Sequence, residues 1–252
     1  MMNIYETDKL LAEYLLFHYG TPEEVLTPGG GPREALGFPV RCVSECVAVE
    51  RLPKKARALD LGCAVGRPAF ELARHCAEVI GLDFSRRFID AANALRAAGS
   101  LDYLRTDEGA LTTPCRAFVP AEIDRQRIVF AVGDAMNLRP GLGAFEVVLL
   151  ANLIDRLSEP LRCLAQLPAL VKPDGQLIIT SPYTWLEEFT PRANWLGGFT
   201  RAGRPVTTRA GLEAALSGSF ELQATRDLPF LIREHSRKFQ WSVAEATIWR
   251  RR

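Results

Sequence analysis

Apolar residues along this chain alternate between two spacings. Short unbroken runs suit buried strands, and i, i+3, i+4 patterns suit helices. The runs are Arg57–Leu61, Glu78–Leu82, Arg127–Val132, Phe145–Leu150 and Gln176–Ser181, the last following the turn Lys172-Pro173-Asp174-Gly175. Between the first two, Pro68–Cys76 reads as a helix with proline in its first turn. After the second, Ser85 is placed to cap a helix carrying Phe88, Ile89, Ala92 and Leu95 on one face. Ahead of them a helical lead-in extends to about Leu52. Leu10, Leu11, Tyr14, Leu15 and His18 share a face, Thr27–Pro32 breaks the pattern, and Pro39 opens a second helix with Val40, Val43 and Val47. Gly99–Gln126 and Pro182–Pro205 read as irregular connections, the first long enough to be a lid or a dimer contact. Phe220–Ile232 and Phe239–Trp249 alternate as an antiparallel pair at a sheet edge.

Strands separated by helices predict a parallel sheet covered on both faces. The expectation is one α/β domain over 1–252, with a mostly parallel seven-stranded sheet of Rossmann-like type and an antiparallel C-terminal edge pair. It divides into a lead-in or cap (1–52), a ligand-binding core (55–181) and a substrate-side segment with the last strands (182–252).

Composition narrows the function classes. With 252 residues, 48% apolar, 24% charged and a formal net charge of +1, the chain is an ordinary globular protein. That balance argues against a nucleic-acid partner held by counterion release. The N-terminus carries acids where a leader wants bases, and no run approaches the roughly 20 apolar residues of a membrane span. No membrane partner and a cytoplasmic location are therefore expected. The six cysteines form no CxxC pair, so neither a disulfide framework nor a metal site is expected.

The candidate chemistry lies where the first strand turns into a helix, at Asp60-Leu61-Gly62-Cys63-Ala64-Val65-Gly66-Arg67. Gly62 and Gly66 allow a tight turn and close backbone approach to a ligand, with Ala64 and Cys63 small between them. Asp83, followed by Phe84, closes the second strand at the place of a ribose-binding acid. Gly133-Asp134-Ala135 closes the third, where an acid can hold an adenine amino group. A dinucleotide needs GxGxxG spacing and a helix N-terminus for its pyrophosphate. Here Asp60 precedes the loop and would repel a diphosphate, whereas it suits the sulfonium and ammonium of S-adenosylmethionine. Transfer of the methyl to any of several small nucleophiles, such as a carboxylate or phenol, is open on these residues; a nicotinamide-dependent oxidoreductase is a competing reading, and a non-catalytic binding module another.

The set Asp60–Gly66, Asp83 and Asp134 resembles the class I S-adenosylmethionine-dependent methyltransferase family over roughly 55–181. Further segments resemble the ovothiol-biosynthesis methyltransferases: Asn3–Thr7, Phe38–Cys42, Ala151–Leu157, Ser181–Glu188 and Arg233–Trp241. This resemblance implies methylation of an imidazole nitrogen of 5-thiohistidine (4-mercaptohistidine), with S-adenosylhomocysteine as the other product. Which ring nitrogen, and whether the enzyme is a monomer or homodimer, stay open.

For such a reaction Asn152 and Asp155, after the fourth strand, are the candidate catalytic pair, fixing the imidazole tautomer and accepting its proton. Asn152 would also touch the cofactor. The alternative for Asp155 is a pair with Arg156 or a helix cap. Arg41, Arg233 or Lys238 could bind the carboxylate of an amino-acid substrate, and Glu6 or Glu234 its ammonium. Tyr5, Tyr14, Tyr183 and Trp185 could wall the pocket, with His235 touching the substrate. His18 and His75 read as helix-face residues without a role.

Overall fold

A computed structural model describes residues 4–252; Met1, Met2 and Asn3, and with them the start of the Asn3–Thr7 segment, lie outside the described residues. In chain order the helices are α1 (Asp8–Tyr19), α2 (Pro22–Val25), α3 (Phe38–Ser44), α4 (Arg67–Leu72), α5 (Arg86–Ala98), α6 (Pro160–Leu164), α7 (Leu167–Leu170) and α8 (Thr208–Leu216). The strands are β1 (Arg57–Leu61), β2 (Glu78–Asp83), β3 (Ser100–Glu108), β4 (Leu111–Phe118), β5 (Ile128–Val132), β6 (Phe145–Ala151), β7 (Val171–Ser181), β8 (Phe199–Arg201), β9 (Arg204–Val206), β10 (Phe220–His235) and β11 (Lys238–Arg251).

Seven strands make the main sheet in the order β10-β11-β7-β6-β1-β2-β5. β7, β6, β1, β2 and β5 are parallel, while β11 runs antiparallel to both β7 and β10. The Rossmann-like sheet with its antiparallel edge pair is the one the hydropathy pattern predicts. Because β1 has β2 on one side and β6 on the other, the strand order reverses there. Open α/β sheets bind ligands beyond the carboxyl ends of strands at such a reversal.

Each strand divides its side chains between two cores. Ala58, Val147, Leu149 and Phe130 face Leu15, Phe38, Val43, Phe70 and Phe88 of the first four long helical segments. Leu59, Leu61, Val148 and Leu150 face Leu164, Leu167, Leu212 and Trp249 on the opposite side. Burying each of these larger side chains contributes roughly 1.5–3 kcal/mol. Asp60 follows the alternation of β1 and so points to the first of these sides, where α1, α3 and α4 lie.

Local signals set the elements that frame the loop. Ser85 caps α5 by accepting from Phe88 N–H at 3.2 Å, and Gly99 ends the helix with φ +80°. Thr7 caps α1, accepting from Leu10 N–H at 3.3 Å. At Gly66, φ is +88° and a Cβ would fall 2.6 Å from the Phe130 ring, so this turn into α4 admits no side chain.

Two expectations require correction. Gly99–Gln126 is not an irregular connection: β3 and β4 form a hairpin, turning through Gly109 and Ala110. Tyr103, Cys115 and Ala117 face inward as a strand pattern requires, but Leu104, Leu111 and Phe118 lie exposed on the outer side. Apolar residues on both faces, with Pro114 between them, hid the alternation. Pro182–Pro205 likewise contains β8 and enters β9, a short hairpin. Helices flank both faces of the sheet as expected; at the β5 edge, Gly133–Ala144 joins β5 to β6 without one, and Val129 is exposed.

The edge pair is longer than the pattern suggested. β11 pairs with β7 from Glu245 to Arg250 only, so the rest of the β10–β11 hairpin projects past the carboxyl end of the sheet. There it meets α1 and the β3–β4 hairpin. Arg105 and Arg233 both donate to the Glu24 carbonyl, at 3.0 and 2.9 Å, and Arg233 also pairs with Asp107 at 3.3 Å. These bonds tie the projecting arm, the hairpin and α2 into a cap over one side of the sheet end.

Candidate active site

The loop after β1 is held mainly by backbone groups. Gly62 and Cys63 both donate N–H to the Leu82 carbonyl, at 2.8 and 3.0 Å. Ala64, at φ +47°, donates to Asp83 Oδ2 at 2.8 Å, and Ser85 N–H binds Asp83 Oδ1 at 2.8 Å. Asp83 therefore fixes the loop to the end of β2 with both oxygens. Burial raises its carboxyl, and those N–H bonds oppose the shift. Phe84 stands exposed beside it. Gly133 donates to the Asp83 carbonyl at 2.9 Å, and Asp134 Oδ1 accepts from Met136 N–H at 2.8 Å, closing the turn after β5 with Ala135 buried beneath.

Asp60 differs from both other acids. It is 0% exposed, and neither carboxylate oxygen has a hydrogen-bond partner. Burial first, and the Asp83 charge second, push its carboxyl up to about 8, tempered by the Ala69 amide, which stays short of a hydrogen bond. A buried acid left unpaired by the protein itself is what a cationic ligand would complete. This donor set fits a sulfonium and ammonium and would oppose a pyrophosphate.

A second group gathers beyond β6. Asn152 sits at φ +52°; its N–H donates to the Thr180 carbonyl at 2.9 Å, and its Oδ1 accepts from Thr180 Oγ1 at 3.0 Å. Leu153 follows and covers Gly62, where a Cβ would lie 2.8 Å from its side chain. Asp155 is 0% exposed. Its Oδ2 accepts from Arg156 Nη1 and Thr184 N–H, both at 3.1 Å, whereas Oδ1 is buried without a partner. Burial raises its carboxyl, and Arg156 pulls it back. Tyr5 is packed against Tyr14 and Phe88, with ring centroids 6.2 and 5.9 Å away. Burial raises its phenol; the charges of Arg156, Asp155 and Asp83 act on it next, placing it at this end of the sheet. Tyr14 lies 4.8 Å from Phe88, and after burial Tyr5, Arg156 and Asp83 act on its phenol. Tyr183, at φ +55°, donates its hydroxyl to Glu245 at 2.5 Å.

Other expected substrate contacts are engaged elsewhere. Arg41 donates to the carbonyls of Leu36, at 3.0 Å, and of Pro229, and so ties α3 to β10. Arg233 belongs to the cap bonds described above and is buried in them. Glu6 accepts from Arg86 N–H at 2.9 Å and Arg87 N–H at 3.4 Å, at the N-terminus of α5. Trp185 donates to Thr208 Oγ1 at 2.8 Å in the second core. Lys238 pairs with Glu234 at 2.7 Å, and His235 Nδ1 accepts from Arg237 N–H at 3.3 Å, both at the hairpin tip. The structure thus brings together Tyr5, Tyr14, Asp60, Asp83, Asn152, Asp155 and Tyr183; Glu6 borders them, its charge acting on Asp83, and the other five lie to one side.

A family model described as a methyltransferase domain matches residues 40–219, well over half of the chain. The chain belongs to the methyltransferase-domain family. It is an S-adenosylmethionine-dependent enzyme. Among curated relatives, ajmaline N-methyltransferase of Rauvolfia serpentina is 26% identical over 180 residues, 69% of this chain and 53% of that protein. The chain thus spans about half of that relative's length. Among solved structures, the [4+2]-cyclase SpnF superposes at TM-score 0.59 with 18% identity, covering 98% of this chain and 94% of that one. A Methanosarcina mazei methyltransferase does so at 0.52 with 18% identity, covering 80% and 94%. At such identities these structures speak for the fold alone.

Two residues that border these groups in this methyltransferase were not singled out by sequence reasoning. Arg156 was visible only as a partner of Asp155, yet it also donates to the Thr184 carbonyl at 3.1 Å and lies 4.9 Å from the Phe189 ring. His18 looked like a plain helix-face residue; it is buried, beside the cofactor loop. Its only signal was a polar residue on the apolar face of α1. Among the described residues no three His, Cys, Asp or Glu side chains are grouped to hold a metal ion, and no helix is long and apolar enough to cross a membrane.

Proposed function

We propose that this methyltransferase transfers a methyl group to an imidazole nitrogen of 5-thiohistidine, an ovothiol-forming step that releases S-adenosylhomocysteine. Asp155 carries this reading: a fully buried carboxylate with Oδ2 anchored and Oδ1 unpaired, two residues beyond the Leu153 that covers Gly62. The segments resembling ovothiol-biosynthesis methyltransferases support the acceptor, and the nitrogen-methylating name of the plant relative supports a nitrogen nucleophile.

Bound S-adenosylmethionine supplies a methyl on a sulfonium, an already activated leaving group. The chain's own residues have to orient a neutral ring nitrogen, exclude water and take one proton. Orientation of this kind is worth roughly 7–11 kcal/mol of barrier. Asn152, locked to Thr180 at an otherwise unfavourable φ, presents its side chain at the carboxyl end of β6. Asp155 Oδ1 accepts the ring proton, a role suited to a carboxylate that burial has made more basic. Tyr5, Tyr14 and Tyr183 supply the wall that keeps water from the reacting nitrogen. The amino-acid acceptor is a small molecule, and neither nucleic acid nor membrane enters the reading.

Mass spectrometry of reactions containing S-adenosylmethionine with 5-thiohistidine, histidine or a phenolic or carboxylic acceptor tests the assignment. One added methyl, placed by NMR on the imidazole of 5-thiohistidine, is expected. Methylation of another acceptor with none on 5-thiohistidine would overturn it.

A further inference from the structure

His18 lies on α1 one turn after Tyr14, with the two rings 5.9 Å apart. The end of this helix is pinned to the cofactor loop, because the Tyr19 hydroxyl donates to the Val65 carbonyl at 2.8 Å. The His18 side chain is 8% exposed, and its Nδ1 is buried without a hydrogen-bond partner. Its charged neighbour is Arg67, the residue that opens α4 directly after Gly66. That guanidinium lies 5.6 Å from the Tyr19 ring centroid, and its Nε is also buried and unpaired. Arg67 Nη2 meets Glu71 at 2.7 Å, but Glu71 is shared with Arg74, likewise at 2.7 Å.

Three unpaired polar groups therefore border one loop: Asp60, His18 Nδ1 and Arg67 Nε. A buried polar atom left without a partner costs about 1–3 kcal/mol. A hydrocarbon ring would occupy the His18 position without that penalty. The amino-acid end of S-adenosylmethionine carries both signs of charge. Asp60 suits its cationic groups, and its carboxylate requires N–H donors.

We propose that the Nδ1–H of His18 and the Nε–H of Arg67 bind the carboxylate of the cofactor's amino-acid end. Burial, then Arg67, pushes the imidazole down to about 3, so the ring is neutral at physiological pH. A neutral ring has one N–H to give, and the carboxylate selects the tautomer that carries it on Nδ1. The assignment concerns cofactor binding alone and is independent of the methyl acceptor.

Calorimetry with two ligands tests it. S-adenosylhomocysteine has the carboxylate; 5′-methylthioadenosine keeps the adenosine and sulfur but lacks the amino-acid end. His18→Phe should weaken S-adenosylhomocysteine roughly tenfold and leave 5′-methylthioadenosine within about twofold. His18→Asn, which restores an N–H donor at similar reach, should recover part of the loss and serves as the primary variant if the phenylalanine variant fails to fold by circular dichroism. Unchanged S-adenosylhomocysteine affinity in both variants would overturn the proposal. Equal weakening of both ligands would do so too, since His18 would then act by packing the loop.

Discussion

The two halves of the site are built differently. Around Asp60–Arg67 and Asp83, the shape comes from backbone: glycines at positive φ, N–H groups fixed to Leu82 and Asp83, and one unpaired acid. Around Asp155, it comes from side chains delivered by distant segments, including Tyr5 near the start of the chain and Glu245 near its end. A backbone-built half tolerates little change in residue size but reads many side chains alike. A side-chain-built half can exchange its acceptor by substitution while the fold stays the same. The contrast explains how one family keeps its cofactor and varies its chemistry.

The contrast predicts where substitutions act. Asp155→Asn should lower kcat by about 10²–10⁴-fold, the usual worth of a positioned general base, while S-adenosylhomocysteine binding by calorimetry stays near wild type. If binding fell as well, the division between halves would blur. Gly66→Val should act on the fold instead, because it places a branched side chain at φ +88° against Phe130. A loss of about 3 kcal/mol or more in urea unfolding is expected, and wild-type stability would break the backbone argument.

Asp60→Asn should separate stability from binding. With the folded carboxyl raised to about 8 from an ordinary value of 3.8, the folded chain keeps a proton that the unfolded chain has released between those values. Stability of the cofactor-free protein therefore falls as pH rises from about 4 to 8 and levels above. The asparagine variant should lose that slope and be more stable than wild type at pH 8, measured by urea titration. It should also bind S-adenosylmethionine roughly 10–100-fold more weakly at that pH. Cofactor affinity of the wild type should rise with pH up to about 8, because binding a cation expels the proton.

The smallest effect belongs to Tyr183→Phe. Losing the 2.5 Å bond to Glu245 removes a wall contact and not a proton acceptor. A few-fold rise in acceptor KM is expected, on the order of 1 kcal/mol, with cofactor affinity unchanged.

What could be read from the sequence follows the same line. RALDL, the glycines and Asp83 stand close together in the chain, so spacing alone exposed the candidate cofactor loop and the parallel strands that carry it. The acceptor half depends on segments more than a hundred residues apart, as with Tyr5 and Asp155. Sequence gives residue type there but not direction: Arg41, Arg233 and Lys238 offered the right charge, and each is engaged in holding the cap or its tip. The β3–β4 hairpin was hidden for a related reason. Its pattern shows which residues are apolar, and exposure of Leu104 and Phe118 is a property of what fails to cover them.

Glu6 and Tyr5 hang from the opening turn of α5, through the amides of Arg86 and Arg87 and the Ser85 hydroxyl. Ser85 therefore grips two neighbours at once, its N–H on the Asp83 carboxylate and its hydroxyl on the Tyr5 carbonyl. A displacement of the acid that fixes the loop is handed directly to the aromatic ring packed on Tyr14 and Phe88.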